Sequence, residues 1–171
     1  MTASSRNALL ISTLLLFLGQ DFAQSAEKEP AAILEMGAAA SGSLNGGGGA
    51  GGPSIAVEVT PIKGWLELEA GVTPLFSAQP AEWDTDLLFK KPWTLSRKAE
   101  FMAGIGPEWV HTRHSGASVN ALAGEAALDF MFWPTRRRKF GWYLEPAYAH
   151  GFVYAHDQSL GVSGGLLIAL P

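Results

Sequence analysis

The chain has 171 residues, no cysteine, and a formal charge of −4 from 12 basic and 16 acidic side chains. That length holds one domain. The absence of cysteine excludes a disulfide framework, and the acidic balance argues against general affinity for nucleic acid.

The first segment reads as a processing signal. Arg6 supplies a positive start, Ala8 to Leu18 is an apolar run broken only by Ser12 and Thr13, and Ala23-Gln24-Ser25 offers a small-x-small cleavage site. The run is shorter than the about 20 apolar residues that cross a bilayer. Residues 1–25 are therefore expected to be a cleaved export signal, with residues 26–171 forming one domain. Nothing after Leu18 reads as a membrane-spanning helix.

From Ala31 the pattern turns two-periodic, with acids on every second position and apolar or small residues between them. Ile55-Ala56-Val57-Glu58-Val59, Trp65-Leu66-Glu67-Leu68-Glu69 and Trp83-Asp84-Thr85-Asp86-Leu87 all show it. Such alternation predicts strands with one apolar and one charged face. Seven breaks follow in order: the glycine-rich Ser41 to Pro53, the tight turn Thr60 to Gly64, Thr73 to Pro80, Lys90 to Lys98, His111 to Ser118, Pro134 to Lys139, and Gly151 to Gln158.

They leave eight predicted strands, at about Ala31–Ser41, Ser54–Thr60, Trp65–Thr73, Ala81–Phe89, Ala99–Val110, Val119–Trp133, Phe140–His150 and Ser159–Leu170. Ala121 to Phe132 has helical propensity, but Glu125 and Asp129 are also two-periodic, opposite Leu122, Ala126, Leu128, Phe130 and Phe132. Pro107 and Pro146 fit a closed sheet poorly, and bulges are expected beside them.

The bases sort by break. Lys63, Lys90, Lys91, Arg97, Lys98, Arg136, Arg137, Arg138 and Lys139 fall in the second, fourth and sixth breaks, while the others contain only Arg113. An up-and-down topology with both termini periplasmic puts the basic turns at one rim.

Alternation alone does not say which face is wet, since a soluble lipocalin-like barrel carries its charges outside. Three features favour lipid outside. The strands are rich in Gly and Ala, suiting a narrow lumen. Short basic turns lie opposite a glycine-rich loop. Trp65, Trp83, Trp109, Trp133, Trp142 and Tyr143 gather near strand ends, as in interfacial girdles.

The blocks Gly106-Pro107-Glu108-Trp109, Leu128-Asp129-Phe130-Met131-Phe132-Trp133-Pro134 and Phe140-Gly141-Trp142-Tyr143-Leu144-Glu145-Pro146 join the signal, strand count and alternation in one resemblance. Over essentially all of its mature length the chain resembles the small OmpA/OmpX-type outer-membrane barrels, in an uncharacterised proteobacterial branch. The resemblance implies an all-β, eight-stranded antiparallel transmembrane barrel, monomeric in the outer membrane. Its implied partners are outer-membrane lipid, lipopolysaccharide and the barrel insertion machinery. It names no activity and no cofactor. Such barrels usually finish on an aromatic residue read during insertion, whereas this chain ends Leu166-Leu167-Ile168-Ala169-Leu170-Pro171.

Two constellations carry the available chemistry. Glu35, Glu58, Glu67, Glu69, Asp84, Asp86, Glu100, Glu125, Asp129 and Glu145 are expected to face inward as a belt in the periplasmic half of the lumen. So many carboxylates need turn bases, protons or cations as neighbours. They read as a structural network filling a closed barrel or, alternatively, as a narrow cation-preferring path. His111, His114, His150 and His156 sit at two breaks on one side, where imidazoles are weak candidates for a divalent metal. A lipid A acyl-modifying enzyme would need a Ser/His/acid set. His114 with Ser115, or His156 with Ser159, plus Glu108 are the available groups, and none has diagnostic spacing. The expected role is structural or surface-interacting, without catalysis; a soluble periplasmic small-ligand-binding barrel is the remaining alternative.

Overall fold

The computed structural model describes residues 30–46, 48–76, 82–114, 117–152 and 157–171. The expected export signal, Ser115 and His156 lie outside these residues, as does the side chain of His114.

The alternating segments form eight strands: β1 (Ala32–Ser43), β2 (Gly49–Ile62), β3 (Leu66–Leu75), β4 (Glu82–Ser96), β5 (Ala99–His114), β6 (Ala117–Phe132), β7 (Phe140–Gly151) and β8 (Gln158–Leu170). Each pairs antiparallel with its neighbour in sequence, and β1 also pairs with β8, which closes the sheet into a barrel. The segment with helical propensity, Ala121 to Phe132, is strand throughout. Two-periodic burial outweighs local preference once each face meets a different environment.

The seam between first and last strands runs in register from Ala32↔Leu170 to Ser43↔Ser159. Glycine permits that close approach. A Cβ on Gly37 would lie 2.1 Å from the Gly164 carbonyl oxygen, and one on Gly165 would lie 2.2 Å from that of Met36.

β1 begins and β8 finishes at the end of the barrel that carries the connections after β2, β4 and β6, here the turn end. Lys63, Arg97, Lys98, Arg136, Arg137, Arg138 and Lys139 all belong to those turns. The opposite, loop end carries the remaining connections.

Several strands run further than the sequence predicts. Gly49 to Pro53 is strand, paired with β1 through Ala38↔Pro53 to Gly42↔Gly49, so half of the glycine-rich break is part of the wall. β4 continues through Lys90 and Lys91 to Ser96, and the break at 111–118 narrows because β5 reaches His114 and β6 starts at Ala117. Backbone pairing tolerates glycine and lysine wherever a neighbouring strand offers partners.

The expected bulges at Pro107 and Pro146 are absent. The register runs unshifted past both, and pairing only lapses opposite them, at Leu87 and Leu88 and at Leu128 and Asp129. Shifts occur instead beside turns, between Val59 and Ile62 and between Thr94 and Ser96.

The outer face is apolar. Ile55, Val57, Val59, Leu87, Phe89, Ile105, Leu122, Leu128, Leu144 and Leu166 are all exposed there, Ile105 by 68%. Toward the turn end, Trp93 stacks on Phe101, Phe101 contacts Phe130, and Phe132 contacts Trp142, with ring centroids 5.1–5.5 Å apart. Trp83 and Trp109 are exposed toward the loop end.

Candidate functional site

Eight strands leave an interior about wide enough for side chains to fill, and three layers occupy it here. At the turn end Met102, Met131, Trp133, Tyr143 and Leu167 pack together, with Ile33 and Ala169 against them. Trp133 and Tyr143 are therefore interior residues and not part of an outer girdle; Trp133 is 1% exposed. Parity explains it, because Trp133 follows Asp129 and Met131 at two-residue steps on the inward side.

Lys90 occupies the middle layer. The sequence places it in a basic turn, but β4 carries Asp84, Asp86, Leu88 and Lys90 on one face, and that face is interior. The ammonium lies 2.5 Å from Glu69 Oε2 and 3.4 Å from Asp129 Oδ2, and it also bonds Glu145 Oε2. Glu35 and Glu58 sit beside them, fully buried. Glu35, Glu58, Glu69 and Asp129 each bring one carboxylate oxygen to within 4.8 Å of the others.

Above this layer, toward the loop end, lies a cavity of about 80 Å³. Asp84, Asp86, Glu108 and Glu125 line it, with Glu35, Glu69 and Glu145 at its base. Gly71 makes room for Asp86, whose carboxylate oxygens lie 2.7 and 2.8 Å from the point a Cβ would take. Higher still, Thr112 Oγ1 donates to Glu82 at 3.1 Å.

The ten acids expected to face inward thus separate by height. Glu67 and Glu100 stand near the turn end, where Thr60 Oγ1 donates to Glu67 at 2.9 Å and Arg138 pairs with Glu100 at 2.5 Å. Glu35, Glu58, Glu69, Asp129 and Glu145 stand above them, still within the turn-end half of their strands, while Asp84, Asp86 and Glu125 extend the series along the cavity toward the loop end. Glu108, expected as the acid of a possible Ser/His/acid set, lines the cavity. Outward Trp109 next to it was the available signal.

Two of the four histidines, His111 and His150, have described side chains, both near the loop-end termini of their strands. His111 Nδ1 is 2.7 Å from Asn120 Oδ1, and the His150 ring meets Phe152 edge-on at 6.1 Å. Among the described residues, the group able to surround a metal ion is the four-carboxylate one.

No family model matches the chain, and no curated protein matches it. Solved structures do. Neisserial surface protein A is 9% identical, with a TM-score of 0.61 over 81% of this chain and 96% of that one. The N-terminal β-barrel domain of Pseudomonas aeruginosa OprF gives 11% identity and 0.53 over 82% and 100%. Ail, the attachment invasion locus protein of Yersinia pestis, gives 10% and 0.54 over 82% and 99%. The fold is that of the small eight-stranded outer-membrane barrels.

Proposed function

We propose that the chain is an outer-membrane barrel protein with a structural or surface-interaction role, without catalytic activity and with a lumen plugged against the passage of ions. The observation that carries this reading is the assignment of faces. Apolar side chains clothe the outside of a closed barrel while lysine and carboxylates are buried within it, the reverse of a soluble barrel. The apolar layer at the turn end and the Lys90 layer above it fill the section that an ion would have to cross.

Fractionation tests the location. The protein should sediment with outer membranes and change gel mobility on boiling; recovery free in the periplasm would refute the reading. A tag inserted at Gly46 should label on intact cells, and one at Arg137 should not. In planar bilayers the purified barrel should give no defined conductance steps. Reproducible cation-selective openings that vanish in Glu100→Gln would instead support an acid-lined path.

A further inference from the structure

We propose that the barrel interior binds one calcium ion through Glu35, Glu58, Glu69 and Asp129, beside Lys90. The first support is the donor inventory. An ammonium has three N–H donors, and those of Lys90 are directed to Glu69, Asp129 and Glu145. None remains for Glu35 or Glu58.

The second support is independent of the clustering. Glu35 Oε1, Glu58 Oε2 and Asp129 Oδ1 are buried with no hydrogen-bond partner. Glu35, Glu58 and Asp129 are each at most 1% exposed. A buried carboxylate oxygen without a partner is strongly unfavourable. Three belonging to one group of side chains mark a place where a cation fits.

The donor set points to the ion. All candidate ligands are oxygens, which suit hard cations. Calcium binds oxygen at about 2.3–2.6 Å, so ligands on opposite sides of the ion stand about 4.6–5.2 Å apart, whereas magnesium requires about 4.0–4.2 Å. The oxygens stand within 4.8 Å of one another, close enough to share one ion, and four protein carboxylates suit calcium better than magnesium, which keeps several waters and is held by one or two carboxylates. Access is from the loop end, because the carboxylate-lined cavity reaches down to Glu35 and Glu69. Its acids raise the local concentration of cations.

Equilibrium dialysis of the folded barrel in detergent micelles against radioactive calcium tests the assignment. Saturable binding of one ion is expected below about 1 mM, with an accompanying rise in the urea midpoint. Glu35→Gln/Glu58→Gln keeps side-chain volume and should fold, as checked by gel mobility, yet lose the binding. Asp84→Asn, higher in the cavity, should retain it. Should the double variant not fold, Glu58→Gln alone should weaken binding at least about tenfold. Absence of saturable binding to the unmodified barrel would overturn the proposal, leaving shared protons as the means of neutralisation; so would unchanged binding in a folded Glu35 or Glu58 variant.

Discussion

At the turn end of the lumen, the large apolar side chains of Met102, Met131, Trp133 and Leu167 fill the space between strands. In the loop-end half, acids surround a cavity most of whose other inward positions are small, among them Ala39, Ser41, Ser54, Gly71, Ala149 and Ser163, with Leu75 and Tyr143 as the large exceptions. Strand number is the same at both ends, so the barrel wall does not set this contrast. Side-chain volume at inward positions does. One barrel therefore has a packed base and an open, negatively charged mouth, with Lys90 between them.

Lys90→Met should have the largest effect. It removes the buried cation and leaves Glu69, Asp129 and Glu145 unpaired, a loss of about 3–5 kcal/mol measured by urea unfolding in micelles. A neutral outcome would mean that the middle layer depends on something other than this ammonium. Next comes the contrast between inner and outer faces. Ile105→Arg, near mid-strand on the outside, should cost about 2–4 kcal/mol, while Leu68→Arg, close to the turn end, should cost about 0–1 kcal/mol because lipid depth differs. Glu67→Gln, inward beside Leu68, should be milder than Ile105→Arg. If Glu67 proved lipid-facing, the faces would be reversed. The finest comparison is within the lumen. Ala127→Leu enlarges a side chain buried in close packing and should cost about 1–3 kcal/mol. Ala149→Leu projects into the open cavity and should stay within about 0.5 kcal/mol. Equal penalties would mean that the cavity closes up in solution.

Strand number, order and facing were legible because acids and apolar residues alternate so regularly that a one-residue slip would bury the wrong face. The internal layers were less so, and for one recurring reason. Lys90-Lys91-Pro92 reads as a turn by composition, Trp133 as a girdle by its position at a strand end, and Glu108 as the acid available to a Ser/His pair. In each case parity along the strand places the side chain correctly: Lys90 two steps past Asp86 and Leu88, Trp133 two past Met131, Glu108 beside outward Trp109. The grouping of Glu35, Glu58, Glu69 and Asp129 was beyond reach of parity. It depends on stagger between strands, which local pattern does not encode.

The glycine-lined seam between β1 and β8 bears on how the molecule comes into being. β1 has one partner from the moment β2 is available, but its other edge waits for residues 158–170. Sequence distance is not the main obstacle, since each doubling of a loop adds only about 0.6 kcal/mol to its closure. The hazard is the interval before the ends meet. An unfinished sheet shows two unpaired borders and a wide greasy surface, both of which invite other chains. The last thirteen-residue strand thus works as a latch, and a nascent chain cut short before Gln158 should be sticky and quickly degraded, however well its first seven strands were made.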